Sequence, residues 1–230
     1  MKYYKLGSLK DYMTKNFYNI KWIEKLKILI HIVEGLEHLH YQKIIHRDFH
    51  SGNILYENEF DVVISDLGIS KSSLDNDDEE IYGVISYMAP EILQRKEYTI
   101  ASDIYSFSMV MWELITGRIP FWDQNNDPEL IIKICKDFRP PIIKSAPKGY
   151  VELMQQCWNS DPNKRPTTVD IHETLINITR VEVENPTKII KSSNIGPITN
   201  NSNKSRPLSG IIKSVKSMRI SESQPLTLGK

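Results

Sequence analysis

Apolar positions in the first third of the chain recur at helical spacing. Trp22, Leu26, Leu29, Val33, Leu36 and His40 step by four, three, four, three and four, which lays one stripe along a helix and predicts an element over Trp22–Gln42. A shorter helix is predicted over Leu9–Phe17, with Ser8 as its N-cap. Two β-type pieces, Asn53–Tyr56 and Asp61–Ser65, flank the turn-like Glu57–Phe60. Residues 70–82 are polar and acidic and read as an exposed loop. From Ala101 to Ile115 the sequence is apolar nearly all round, the pattern of a helix buried at the centre of a domain. Further helices are expected over Pro128–Asp137, Gly149–Asn159 and Thr167–Arg180. The pattern predicts a mostly α fold with a small β element in its first third, and it shows no internal repeat.

Composition narrows the class. The 230 residues are 40% hydrophobic and 25% charged, which excludes a wholly disordered or fibrous chain. No run of 18 apolar residues is present, so no membrane span is expected. The opening MKYYKLGSLKDY has no apolar signal core, and Cys135 and Cys157 are too few for a disulfide framework. Together these point to a reducing, cytoplasmic setting. The zero net charge hides an asymmetry: residues 185–230 carry eight Lys/Arg and one acid, while residues 1–184 carry 21 basic and 28 acidic groups. The basic segment is rich in Ser, Asn and Pro without sustained apolar periodicity. It reads as a disordered, solvated tail, with no specific nucleic-acid partner predicted.

Candidate chemistry clusters between the long helix and the first β piece. The segment Ile44–Leu55 reads IIHRDFHSGNIL; thirteen residues beyond Asn53 comes Asp66-Leu67-Gly68, then Ala89-Pro90-Glu91, then Asp103 opening the buried helix. Either triplet alone occurs by chance. In this order and context they resemble the protein kinase family, over about Met1 to Arg180. The ending CWNSDPNKRPT (Cys157–Thr167) is similar to the tyrosine-kinase-like branch, whose members mostly phosphorylate Ser or Thr. The resemblance implies the hinge and large C-terminal lobe of a kinase-like fold over residues 1–184, followed by the tail at 185–230.

It also implies roles. Phosphoryl transfer passes through a loose transition state, so the protein mainly positions groups and neutralises charge. Asp48 would orient the substrate hydroxyl and accept its proton, while Asn53 and Asp66 would hold Mg²⁺ with hard oxygen ligands. Lys2 and Tyr4 in the hinge, Leu55 as the apolar floor under adenine, and His50 are expected on the ATP side. Arg47 would steady the activation segment, His46 would pack inward beneath Leu67, and Glu91 and Arg165 would form a buried ion pair. Phosphorylation at Ser70, Ser72, Ser73 or Tyr82 would order the segment against Arg47. The implied partners are ATP and a protein substrate.

Three departures qualify the resemblance. The Gly-rich loop, strand lysine and helical glutamate of the small lobe have no counterpart in these residues, so the chain reads as a large lobe alone. Its exposed hinge face would then be covered by a small lobe or another partner, and turnover by this chain alone is expected to be weak. His50 stands where Ser/Thr kinases usually carry a lysine, and Val84 where they carry its partner threonine, which leaves Ser/Thr against Tyr preference open. Two other readings compete. One is a non-catalytic binding or scaffold module; the other is an unrelated metal-dependent hydrolase, which lacks the expected His pair or carboxylate cluster.

Overall fold

Ser8 begins the first ordered element as a reciprocal cap. In this computed structural model, which describes residues 7–58, 61–72, 81–124, 127–189, 192–197 and 206–222, helix α1 spans Leu9–Asn16. The Asp11 N–H donates to the Ser8 hydroxyl (3.2 Å) and the Ser8 N–H donates back to the Asp11 carboxylate (3.2 Å), satisfying two otherwise orphaned donors. Helix α2, Trp22–Tyr41, follows its stripe closely: Trp22, Leu26, Leu29, Val33 and Leu36 are all buried. Its flanking positions Lys25, Ile28 and Ile32 are buried as well, because α2 is covered on more than one side.

Strands β1 (Ile44–Ile45), β2 (Ile54–Asn58) and β3 (Asp61–Ile64) come next, with β2 and β3 antiparallel and Tyr56 opposite Val62. β4 (Lys71–Ser72) returns to pair with β1, so the region expected as plain loop contributes a strand. β5 is Tyr82–Gly83, and Ala89 leads into the one-turn helix α3, Pro90–Leu93. Ser73 and the acidic run 75–80 lie outside the described residues, as do Lys2 and Tyr4.

Helix α4, Ile100–Thr116, is the centre of the core. Every residue from Ser102 to Thr116 is buried, as its all-round apolar pattern requires. Gly117 ends it with φ +72, and a Cβ there would stand 2.8 Å from the Phe17 ring, so both backbone and packing call for glycine. Helices α5 (Asp127–Cys135), α6 (Tyr150–Cys157) and α7 (Thr168–Glu184) complete the lobe, and α7 packs along α2. α7 starts with the same device as α1, a Thr167–Asp170 capping box. The fold is mostly α with three two-stranded β ladders among the described residues. No described helix is long and apolar enough to cross a membrane.

Parts of the segment 185–230, expected to be disordered, are packed on the lobe, around Ile195 and from Arg206 onward. Ile195 is buried, its carbonyl accepts from the Tyr18 hydroxyl (2.8 Å), and the Gly196 N–H donates to the Thr116 carbonyl (2.7 Å). Strand β6 (Arg206–Pro207) pairs antiparallel with β5, and helix α8 (Ser209–Glu222) packs on α5. The physical reason is local. Leu208, Ile212 and Val215 repeat at four and three residues and bury completely or nearly so, although the polar surroundings mask that short stripe in the average composition.

A buried lysine makes the lobe's stability pH-sensitive. Lys25 Nζ donates to the Leu114 carbonyl (2.8 Å) and lies over the rings of Phe17 (4.1 Å) and Trp22 (4.9 Å). Burial nevertheless lowers its pKa from 10.5 to about 7, opposed by the nearby Glu24 charge. Between those values the unfolded chain holds a proton that the folded chain has lost, so this group's contribution makes stability rise with pH. In urea denaturation from pH 7 to pH 9, wild type should gain about 2 kcal/mol relative to Lys25→Met. A stability difference that does not change with pH would contradict this account of Lys25.

A candidate phosphoryl-transfer site

Between β1 and β2 the chain must turn while leaving no backbone donor orphaned, and α4 supplies the acceptor. The buried Asp103 carboxylate accepts the His46 N–H (2.9 Å, Oδ2) and the Arg47 N–H (3.2 Å, Oδ1). It also lies 3.0 Å from His40 Nε2, which must carry the proton because a carboxylate only accepts. Held at its amide, Arg47 adopts φ +71, a conformation rare for a residue with a side chain. The reversal sends Asp48 forward, buried to all but 7% of its surface.

Asn53 ties the loop to itself and to the neighbouring hairpin. Its Nδ2 donates to the Asp48 carbonyl (2.9 Å) and to Asp48 Oδ2 (3.3 Å). Its own carbonyl accepts both the Ser65 N–H (2.8 Å) and the Ser65 hydroxyl (2.9 Å). His46, fully buried, donates from Nε2 to the Ser65 carbonyl (3.0 Å). Ser65 is therefore gripped from both ends of the loop, and the next residue, Asp66, leaves the hairpin at φ +58. Asp66 Oδ1 faces the Gly68 N–H at 3.4 Å, and a Cβ on Gly68 would approach that oxygen to 3.2 Å. Asp48 and Asn53 are thus in direct contact, with Asp66 one residue beyond Asn53's partner.

The remaining candidates are distributed more loosely. Leu55 on β2 lies opposite Val63, is half-buried and bridges to Ser8 near the described start of the chain. The His50 ring points back into its own loop: Nδ1 accepts the Gly52 N–H (3.0 Å), while Nε2 stands 3.6 Å from Asp48 Oδ2. Leu67 is 45% exposed, while His46 is fully buried, bonded to Ser65 and set edge-on to the Phe49 ring at 5.6 Å. Arg47 lines a cavity of about 270 Å³ together with Gly68, Ile69, Ser70, Lys71, Tyr82 and Tyr98. Its guanidinium lies over the Tyr98 ring (4.9 Å), and its buried Nε has no hydrogen-bond partner.

Under the loop runs a buried polar chain that patterning does not single out. Tyr87 donates its hydroxyl to Glu113 (2.8 Å), and Ser51 Oγ lies 3.5 Å from the same hydroxyl. Burial holds the Glu113 carboxyl above its ordinary range and pushes Tyr87 up, reinforced for Tyr87 by the Glu113 charge. The signal was a glutamate inside an otherwise apolar helix, which requires a buried partner. Farther along, Arg165 meets Glu91 with two short bonds (2.6 and 2.7 Å) and also caps the carbonyls of Asn159 and Ala101.

Comparison with known proteins gives the family. The family model described as protein tyrosine and serine/threonine kinase matches residues 1–175. The chain belongs to the protein kinase family. Among curated relatives of this kinase lobe, a protein of Acanthamoeba polyphaga mimivirus named as a serine/threonine-protein kinase/receptor is 32% identical over 77% of the chain and 11% of its own length. A Dictyostelium discoideum protein named as the serine/threonine-protein kinase roco5 is 35% identical over 76% of the chain and 7% of its own length. The Arabidopsis thaliana serine/threonine/tyrosine-protein kinase HT1 is 34% identical over 72% of the chain and 43% of its own length. The chain thus spans less than half the length of each of these kinases, and about a tenth or less of two of them.

The Glu91–Arg165 pair offers a stability test. Arg165→Ala leaves Glu91 buried without its countercharge and should cost about 3–5 kcal/mol in chemical denaturation. Replacing both partners with apolar residues should cost less than the single change. A loss in the double variant equal to the sum of the two single losses would show that the two charges are not coupled.

Proposed function

We propose that this kinase lobe moves the γ-phosphate of Mg²⁺–ATP to a Ser or Thr hydroxyl of a protein, with Asp48, Asn53 and Asp66 as the acting residues. The observation that carries the reading is the double role of Asn53, whose amide grips Asp48 while its carbonyl grips Ser65 beside Asp66. Asp48, steadied by the Asn53 amide and faced by His50, is the group that would orient the substrate hydroxyl and take its proton. The acceptor preference follows the names of the relatives, and the Cys157–Thr167 ending supports the tyrosine-kinase-like branch.

The donor set suits magnesium. Asn53 spends its Nδ2 on Asp48, which leaves Oδ1 as a hard oxygen donor, and Asp66 adds a carboxylate one residue past the gripped Ser65. Among the described residues no cluster of three or more His, Cys, Asp or Glu side chains could hold a metal by itself. An ion at this position would therefore complete its shell with phosphate oxygens and water, the usual habit of magnesium. When bound, it supplies charge neutralisation across the triphosphate. His50 departs from the lysine it replaces in orientation too, since its ring is engaged with Gly52 and Asp48. The Arg47-lined cavity, with Lys71 beside Ser70 and Tyr82, has the charge and size to receive a phosphate on the activation segment.

The test is nucleotide binding by the full chain, read as a thermal shift with and without Mg²⁺. Wild type should be stabilised by ATP only when Mg²⁺ is present, Asp66→Asn should lose that Mg²⁺-dependent part, and Asp48→Asn should keep it. No shift for wild type under any condition would overturn the nucleotide reading and favour a non-catalytic binding module.

A further inference from the structure

Beside the proposed site, the activation-segment strand β5 is not left as an open edge. Arg206 and Pro207 of β6 pair with Gly83 and Tyr82 in antiparallel register. The ladder continues past the strands, as the Leu208 N–H donates to the Ile81 carbonyl (2.7 Å) and the Ile81 N–H donates to Ser209 Oγ (2.9 Å). Arg206 forms an ion pair with Asp127 in the first turn of α5. Leu208 is wholly buried, and Ile212 and Val215 follow it into the α3–α5 side, where with Leu93, Gln94, Arg95, Ile131 and Cys135 they edge a cavity of about 190 Å³.

From this juxtaposition we infer that β5, the start of α5 and the α3–α5 face form a peptide-docking surface that residues 206–215 of this chain occupy in cis. The recognised peptide is a basic residue, an apolar anchor two positions on, and then an amphipathic helix with apolar positions four and seven beyond the anchor. Two recognition modes combine here. Strand addition supplies backbone bonds without regard to side chains, and the helix lays its apolar stripe against a second helix. Charge supports the match, since the segment 185–230 is net basic and residues 1–184 are net acidic. The inference deepens the proposed function by naming a peptide class for the same face. A Cβ at Gly83 would stand 3.5 Å from Asp48 Oδ1, so β6 lies about one strand spacing (~4.8 Å) from the residue beside that carboxylate. A protein substrate that used β5 would have to displace the chain's own segment.

The test uses binding, which needs neither nucleotide nor transfer, so its failure leaves the phosphoryl-transfer reading untouched and the converse also holds. A fluorescent peptide of residues 206–222 is titrated into the full 230-residue chain carrying Leu208→Asp, which empties the face, and into wild type. The peptide should bind the variant at least about tenfold more tightly, because wild type presents an intramolecular competitor. Asp127→Lys added to that chain should weaken binding, and a peptide with Arg206→Glu should recover it. A parallel measurement requires no substitution: in ¹⁵N-labelled wild type, peptide in roughly the millimolar range should speed hydrogen exchange at the chain's own Leu208 while Gly83 stays protected. Equal binding to both chains, no binding to the variant, no recovery on charge reversal, or unchanged Leu208 exchange would each overturn the inference.

Discussion

The carboxylate of Asp103 is the constraint from which the rest of the site follows. It sits in the first turn of the most buried helix and collects three donors, two of them consecutive backbone amides. Buried backbone donors need acceptors, and a loop reversing at Arg47 has none of its own to offer. By accepting them, Asp103 converts the rigidity of α4 into the position of Asp48. The same logic propagates through His46 and Asn53 to Ser65, so that hairpin and loop hold each other. Each link is one hydrogen bond of modest net worth, yet leaving any partner buried and unmatched costs more than the bond contributes.

Buried polar bonds on one side of Asp48 contrast with short backbone pairing on the other. The loop is fixed by buried polar bonds, whereas β5 is held by a two-residue ladder and a tail that arrives from more than a hundred residues away. Arg47 belongs to both sides, anchored by its amide to Asp103 while its guanidinium lines the cavity under the activation segment. A charge placed in that cavity or a peptide placed on β5 would act on the same short stretch.

Sequence patterning served best where burial is periodic. The α2 stripe and the apolar run of α4 gave both helices to within a residue or so, because their spacing reflects faces that are packed along their whole length. The motif order also brought Asp48, Asn53 and Asp66 forward, and they fall on one loop and its neighbouring hairpin. Two-residue ladders such as β1–β4 and β5–β6 were not legible, since pairing depends on backbone geometry with no side-chain period to reveal it. The α8 helix was hidden for a different reason, its buried Ile212 and Val215 and the preceding Leu208 being diluted among Ser and Lys. The fold of the His50 ring back onto its own backbone was not legible either, since it depends on the space that a glycine two residues later leaves.

Amide hydrogen exchange on Asp103→Asn tests the central claim most directly. The substitution keeps the shape of the side chain but removes the charge and one of its two acceptor oxygens. The account predicts that exchange at His46, Arg47 and Asn53 quickens by at least about tenfold, one hydrogen bond's worth of local opening, while amides late in α4 stay protected. Unchanged protection across residues 46–53 would contradict it, because the loop would then be held by something other than the buried carboxylate.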